Sequence, residues 1–442
     1  MNKQSQPFGF FDSTAWGFLL VSAYILLGLL PLILAYAARP QGEGGFADQA
    51  AYGAALIAFV ILALQPLLSA RFRWLERPFG QDALMRFHKR MAILATLLLI
   101  AHPLLLAAGH SGWSLLTTWQ MPWPIQLGRL ALLILIAGAL IAIFRQKLPL
   151  DYNRWRGAHK AIILVPLLGA VHSLQIGDDL ETLPLQLYWL LMIALILGLF
   201  VYRTLWVPFF GGRAMRVERV DPESPDVTTL TLHPEDGRPF PYHAGQFWFL
   251  HLKREGRTSE DHPFTIASSP ESTDTPASSI KHSGNFTNTI AETRESDRAR
   301  VEGPFGHFTL NHHPGRSFLF IAGGIGITPI MSMLRHLRDT GDDRTAMLLW
   351  ANRTENDIVF RDELNQMPGT IQTAHILSDP DADWNGARGF ITADWIREQA
   401  GDLLDQAEIF LCGPPPMMDA VLAALKSLNV PARRIHHERF TF

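Results

Sequence analysis

Four histidines set in long apolar stretches are the residues whose type and spacing most plainly imply chemistry. His88 and His102 lie fourteen residues apart within FHKRMAILATLLLIAHPLLL, from Phe87 to Leu106. His159 and His172 lie thirteen apart within GAHKAIILVPLLGAVHSLQI, from Gly157 to Ile176. An ionisable group inside hydrocarbon is costly and marks a functional pathway by default. At ~1.5 Å of rise per residue, these spacings separate two levels by about 20 Å. If both segments cross a bilayer in the same direction, His88 pairs with His159 and His102 with His172. Imidazoles from two facing helices are one way a bundle holds a haem iron between two axial ligands, and two such rungs would cover most of a ~30 Å core. A single membrane histidine is more often a hydrogen-bonded packing residue or a proton relay; four at matching depths favour the metal. Fourteen residues return nearly to one helix face and thirteen do not, so Pro166, between His159 and His172, is a candidate site for a kink or rewinding.

Further stretches with chemical potential follow residue 210. His262-Pro263-Phe264-Thr265 places an aromatic ring beside a hydroxyl. Lys281-His282-Ser283-Gly284-Asn285-Phe286-Thr287 reads as a strand end and a glycine turn entering a helix that runs to Thr293, a place where free backbone N–H groups meet an anion. Gly323-Gly324-Ile325-Gly326-Ile327-Thr328-Pro329 follows a short buried strand and opens a helix. Its glycines let the backbone approach a pyrophosphate, and its proline suits a first helical turn. After the next strand, Asn352-Arg353-Thr354 offers no acidic residue for a ribose. Arg353 is therefore a candidate for a 2′-phosphate, which favours NADPH over NADH; Arg361 is a weaker one. Cys412-Gly413-Pro414-Pro415-Pro416-Met417 follows a further buried strand, where inert packing is the alternative for the cysteine.

The elements that must position these residues divide the chain. Of 442 residues, 48% are hydrophobic, and nearly all the long apolar runs precede residue 210. Six runs have the length a bilayer demands: Trp16 to Ala37, Ala51 to Ser69, Met91 to Ala108, Gln126 to Phe144, His159 to Ile176 and Pro184 to Val207. Ala35-Tyr36-Ala37 has the look of a signal-peptide cleavage site, but the run before it is too long for one. Basic residues collect between spans two and three (Arg71, Arg73, Arg77, Arg86, Lys89, Arg90) and between spans four and five (Arg145, Lys147, Arg154, Arg156, Lys160). The opposite loops hold almost none, so the N-terminus and everything after residue 208 are expected in the cytoplasm. The net charge of −3 gives no reason to expect a nucleic-acid partner, and nothing calls for a further protein subunit. The only cysteine, Cys412, excludes a disulfide framework and a cysteine-ligated metal cluster. From about Gly211, short alternating strands separated by Pro, Asp and Gly predict an antiparallel barrel. From His312 onward, strands alternate with helices, which predicts a parallel α/β sheet. The expected domains are 1–210, 211–312 and 313–442.

With the histidine spacings, HPFT, GGIGITP and CGPPP in this order, nearly the whole chain resembles the ferric reductase and NADPH oxidase superfamily of transmembrane flavocytochromes b. LDYNRWRGAHK, from Leu150 to Lys160, is similar to its bacterial members, which implies a bacterial plasma-membrane protein. The resemblance implies that His88/His159 hold an inner haem b and His102/His172 an outer one. It implies a ferredoxin–NADP reductase type of dehydrogenase in which Phe264 stacks on the isoalloxazine of FAD and Thr265 hydrogen-bonds near its N5, with His262 in place of the usual arginine. Lys281, Ser283, Gly284, Asn285 and Thr287 would serve the FAD pyrophosphate, while Gly303-Pro304-Phe305-Gly306 would be structural beside the flavin. Gly323, Gly324, Gly326, Thr328 and Pro329 would bind NAD(P)H; Cys412, with Gly413 and Pro414, would lie over the nicotinamide. Phe440, in the E-x-F position after Glu438, would shield the flavin and move aside for hydride transfer.

The expected activity is electron transfer from cytoplasmic NAD(P)H through FAD and two haems to an acceptor outside. Oxygen, giving superoxide, is the first choice, and ferric iron or a ferric chelate is the alternative. A redox-gated proton or ion conduit is a remote third, opposed by the near absence of acidic residues in the spans. Arg129, near the outer end of span four, is a candidate partner for haem propionates or an anionic acceptor; an interfacial snorkelling arginine is the alternative. His110 is a solvated loop residue or an acceptor contact. Animal NADPH oxidases place an arginine in the outer half of span two and a histidine one turn beyond the outer ligand. This chain has no such arginine and has Leu106 at the second position, which weighs against oxygen.

Overall fold

The computed structural model describes residues 14–38, 45–109, 111–148, 152–255, 260–313 and 315–439. Phe440 and His110 lie outside the described residues. The chain divides into two compact units, Met1–Phe210 and Gly211–Phe442.

Among the described residues of the first unit, six helices are long and apolar enough to cross a membrane. They are Thr14–Ala37, Phe46–Ser69, Gln81–Ala108, Trp123–Ile143, Arg154–Ile176 and Leu183–Trp206. The second is by far the most enclosed and packs against the first, third and sixth. Its Phe59 stacks on Trp189 of the sixth at 4.5 Å. Polar side chains inside hydrocarbon must find partners within the bundle. Tyr188 donates to Leu27 O at 2.7 Å, and Trp189 Nε1 donates to Ser173 Oγ at 3.0 Å.

The fifth span answers the thirteen-residue spacing in a particular way. An α-helix, Tyr152–Lys160, tightens into a 3-10 turn, Ala161–Ile163, and resumes as Leu164–Ile176. Pro166 lacks an N–H, and its ring crowds the carbonyl four residues back, that of Ile162. Three residues at roughly 120° instead of roughly 100° each add about 60° of rotation. A straight helix would leave His172 roughly 140° off the direction of His159; overwinding reduces this to about 80°. The adjustment lies immediately after His159, in the turn that precedes Pro166.

The second unit begins with a six-stranded antiparallel sheet of order β4-β3-β6-β1-β2-β5. Its strands are β1 (Arg213–Ser224), β2 (Val227–Pro234), β3 (Phe247–Lys253), β4 (Asp261–Thr265), β5 (Ala277–Lys281) and β6 (Arg298–Phe305). The edges meet: Ser278 Oγ donates to Thr265 O at 2.6 Å and Ala267 N to Ala277 O at 2.7 Å, closing a barrel around Met215, Leu230, Trp248, Leu250 and Ile280. The turn after β5 leads into a 3-10 helix, Thr287–Glu292, in place of the expected α-helix.

The parallel sheet follows, with order β10-β9-β8-β7-β11-β12. Its strands are β7 (Ser317–Gly323), β8 (Thr345–Asn352), β9 (Ile371–Leu377), β10 (Ala387–Arg388), β11 (Glu408–Cys412) and β12 (Ile435–Glu438). Every residue of β7 is buried, as expected of a central strand covered on both faces. From β7 the chain steps outward through β8 and β9, then returns to β11 on the other side. The strand order therefore reverses beside β7, and ligands bind such sheets at the carboxyl ends of the strands there. GGIGITP follows β7 and CGPPP follows β11, so both motifs open on that crevice. The helix Ile327–Thr340 ties the two sheets together. Ser332 Oγ donates to Ser268 O at 2.7 Å, and Arg335 Nη1 donates to Ala267 O at 2.8 Å, both in the segment just after HPFT. Arg335 also pairs with Glu363 at 2.5 Å. Burial alone would raise that carboxyl, but hydrogen bonds and charge from Arg335 and then Arg338 hold it below its ordinary value.

Candidate functional site

The third and fifth spans bring His88 and His159 face to face, with ring centroids 6.2 Å apart and planes inclined by 56°. Imidazoles on opposite sides of one metal, with bonds of about 2 Å, have centroids roughly 6 Å apart, so the spacing fits an axial pair. Nδ1 of His159 is buried without a hydrogen-bond partner; Nδ1 of His88 makes no hydrogen bond of normal geometry, and the Gln65 backbone is the neighbour of its ring.

At the other level, His102 Nδ1 lies 2.9 Å from Ala51 O of the second span. His172 Nδ1 lies 2.8 Å from Pro124 O of the fourth. A neutral ring that donates through Nδ1 keeps the Nε2 lone pair for a metal, and such a carbonyl fixes the tautomer and orientation of a ligand histidine. The fourth span passes so close that a Cβ on Gly128 would stand 2.8 Å from the His172 ring. The donor sets at both levels fit haem iron.

Arg129 is committed to the neighbouring loop. It donates to Thr118 O at 2.8 Å, to Gln126 Oε1 at 3.4 Å and to Leu115 O. Asp48 is 4% exposed near the start of the second span, where a Cβ on Gly109 would collide with its carboxylate. Neither Asp48 nor Gly128 stood out in the sequence, since Asp48 precedes the apolar run Ala51 to Ser69 and Gly128 is one small residue within another.

In the barrel, Thr265 ends β4 and is 5% exposed, and its Oγ1 has no partner. A buried hydroxyl without a hydrogen bond is costly, and a flavin acceptor would relieve that cost. Half-buried Phe264 adjoins Phe286, with centroids 6.3 Å apart and planes 20° apart. His262 stacks on Phe286 at 4.2 Å and pairs with Glu260 at 2.8 Å. Buried Arg254, which the sequence reading passed over, lies over the same Phe286 ring at 5.1 Å. Ser283 N donates to Thr287 Oγ1 at 2.9 Å, which shapes the turn through Gly284 and Asn285. These residues fit FAD. Thr265→Val is expected to lower FAD affinity by about five- to tenfold while leaving the thermal midpoint of the flavin-free protein unchanged or higher. Equilibrium dialysis and thermal unfolding of the stripped protein check the two halves of this expectation.

The crevice of the parallel sheet is a cleft of about 500 Å³, whose lining includes Lys281, Gly323, Gly324, Asn352, Arg353, Pro414 and Met417. Lys281, expected at the FAD pyrophosphate, is placed on this wall and pairs with Asp226 at 3.0 Å. Asn352 is 7% exposed with both amide atoms unpartnered, and Arg353 is largely exposed, 3.9 Å from Asp357. The two motif loops touch through glycine. A Cβ on Gly326 would stand 2.4 Å from Cys412 O, and one on Gly323 would stand 2.1 Å from Met417 Sδ. Thr328 Oγ1 donates to Ile325 O at 3.0 Å, and Pro329 sits in the first turn of its helix. This constellation fits a dinucleotide. Cys412 is fully buried and pairs in register with Glu438 of β12. Burial first, and then the Glu438 carboxylate, push its thiol well above the usual range, so it stands as a neutral thiol. Phe440, two residues beyond Glu438, belongs to the residues not described.

Six apolar spans, an antiparallel barrel and a crevice at the switch point of a parallel sheet are combined in this one chain. Residues 54–170 match the family described as ferric reductase like transmembrane component. Residues 213–318 match an FAD-binding domain, and residues 320–423 an oxidoreductase NAD-binding domain. Together the three matches make the chain a ferric-reductase-like membrane domain followed by FAD-binding and NAD-binding oxidoreductase domains, the combination found in the ferric reductase and NADPH oxidase superfamily.

Among curated relatives, it is 32% identical over 232 residues to the stachydrine N-demethylase reductase subunit Stc4 of Rhizobium meliloti (strain 1021), covering 50% of this chain and 64% of that one. It is 30% identical over 233 residues to the propane 2-monooxygenase reductase component of Mycolicibacterium goodii, covering 50% and 66%. The chain thus spans just under two thirds of the length of these relatives. Among solved structures, a flavohemoglobin from Malassezia yamatoensis aligns with a TM-score of 0.49 at 17% identity, over 89% of this chain and 99% of that one.

Proposed function

We propose that this protein carries electrons across the membrane from cytoplasmic NAD(P)H to O2 at the outer face, releasing superoxide, by way of FAD and two haems b held by His88/His159 and His102/His172. In this reading residues 1–210, 211–312 and 313–442 are the di-haem, FAD and NAD(P) domains, and the basic loops hold the latter two in the cytoplasm. The observation that supports the two-haem path, as distinct from the acceptor, is the pair of His88 and His159 rings at 6.2 Å, repeated one level away by two rings whose Nδ1 atoms lie on carbonyls. Bound FAD accepts an electron pair as hydride and releases single electrons, and haem iron passes them on one at a time.

The chain's own residues orient and exclude. Gly323, Gly326 and Gly413 let the two loops close on the dinucleotide backbone, and Asn352 offers it a buried amide. The neutral Cys412 thiol adds no charge where hydride leaves, and Thr265 holds the flavin edge. Arg353 is assigned to the 2′-phosphate of NADPH. Arg353→Ala should raise KM for NADPH about tenfold, the worth of one charge-assisted hydrogen bond, and leave KM for NADH unchanged in steady-state assays.

Reduction of ferric iron or a ferric chelate is the second reading. It is favoured by Leu106 in place of a histidine and by the engagement of Arg129 with Thr118, Leu115 and Gln126. NADPH oxidation in oxygenated and anaerobic buffer, with and without ferric citrate, separates the two when superoxide and ferrous iron are followed independently. The oxidase reading expects oxygen-dependent superoxide in amounts matching electrons consumed; turnover only with iron rejects it.

A further inference from the structure

Away from the crevice, the parallel sheet brings together three side chains that none of the roles above uses. His436 lies on β12, Glu408 opens β11, and His313 lies on the segment entering β7. One nitrogen or oxygen from each lies within 4.8 Å of the other two. The His436 Nε2 to Glu408 Oε2 distance is 2.7 Å, and the two imidazoles overlap with centroids 3.5 Å apart and planes inclined by 30°.

We propose that His313, Glu408 and His436 form a binding site for a divalent transition-metal ion of the zinc class. Two imidazoles and one carboxylate suit zinc and its neighbours, whereas Ca²⁺ and Mg²⁺ require oxygen ligands. Ligand atoms around one zinc ion, with bonds of about 2.0–2.1 Å, stand roughly 3.3 Å apart. The present separations, from 2.7 Å between His436 Nε2 and Glu408 Oε2 to at most 4.8 Å across the set, lie on both sides of that value, so the two imidazoles must part and the set must rearrange to take an ion. The surroundings hold the ligands in place. Phe410, the register partner of His436 and two residues beyond Glu408 on β11, packs on His436 at 5.0 Å and on His313 at 5.5 Å. The chain crosses Glu408 at Gly315, where a Cβ would stand 2.6 Å from Glu408 Cγ, so a glycine is what lets the His313 segment lie over the carboxylate. All three ligands are partly buried.

The consequence is mechanical. β12 pairs with β11 so that Phe410 faces His436 and Cys412 faces Glu438. An ion bridging His436 to Glu408 therefore braces the strand that places Glu438 beside the cysteine, and joins both strands to the entrance of β7.

The test uses the full-length protein, purified in detergent without a histidine tag, and Zn²⁺ as the probe. Bound zinc is measured by equilibrium dialysis and elemental analysis for the unsubstituted protein and for His313→Ala, His436→Ala and His437→Ala. His437 is the exposed neighbour on the same strand and serves as the control. Retained FAD shows that each variant is folded. The expected result is one zinc ion fewer in His313→Ala and in His436→Ala, or affinity at least about tenfold weaker. His437→Ala should match the unsubstituted protein, as should dialysis with excess Mg²⁺. No zinc on the unsubstituted protein, or equal zinc on all four proteins, overturns the site and identifies Glu408–His436 as an ion pair only.

Discussion

His102→Ala and His172→Ala will each reduce the haem content from about two per chain to about one, and will abolish electron delivery to an external acceptor while NAD(P)H still bleaches the flavin. The effect is large because the outer pair has no substitute. Each ring is anchored by its own carbonyl, Ala51 O or Pro124 O, and among the described residues of the first unit the remaining histidines, His88 and His159, are a helical distance of about 20 Å away. Gly128→Val tests the same level without touching a ligand. Its first side-chain carbon would stand 2.8 Å from the His172 ring, so the ring must turn from its carbonyl and the outer haem should be lost with the inner one retained. The haem absorption spectrum and the flavin bleaching rate report the two outcomes separately. Variants that keep two haems would falsify the pairing.

Gly326→Val should eliminate NAD(P)H oxidation while FAD stays bound. The carbonyl of Cys412 stands 2.4 Å, and Gly413 Cα 2.8 Å, from where any Cβ must go. These are backbone atoms, so no side chain can swing aside. Overpacking of this kind costs about 1–3 kcal/mol or more, and here it forces apart the two loops that close the crevice. The barrel has its own core, around Trp248 and Ile280, and should keep its flavin. Gly369→Ala, where nothing lies within 4 Å of the added carbon, should leave activity unchanged. Steady-state NADPH oxidation and flavin content of the three purified proteins decide the matter.

Much of this architecture was legible in the sequence because it rests on long or repeated signals. Six apolar runs of bilayer length need no tertiary information to be read, and the glycine motifs announce themselves because a backbone that approaches a phosphate or another loop excludes side chains. The change from strand-like alternation to strand and helix in turn was equally plain, whereas the common switch point of GGIGITP and CGPPP needed the strand order. What escaped was set by neighbours distant in sequence. Nothing in GAHKAIILVPLLGAVH says whether Pro166 bends the helix or overwinds it; the 3-10 turn Ala161–Ile163 depends on how the whole span packs. Gly128 carries no signal in an apolar helix, and its role shows only where His172 lies against it. Lys281 was assigned to the FAD pyrophosphate by its place in a turn; that it also lines the cleft with Gly323 and Arg353 depends on the folded arrangement. Asn352 was read only as part of a strand end, since an unpartnered amide is visible only once burial is known.

The most direct test of the two-rung electron path is an anaerobic titration of the purified protein with NADPH, following haem and flavin absorbance together. About two b-type haems per FAD, both reduced by NADPH without added mediator, is the predicted result. A single haem per FAD, or haems that stay oxidised while the flavin is bleached, would contradict the account.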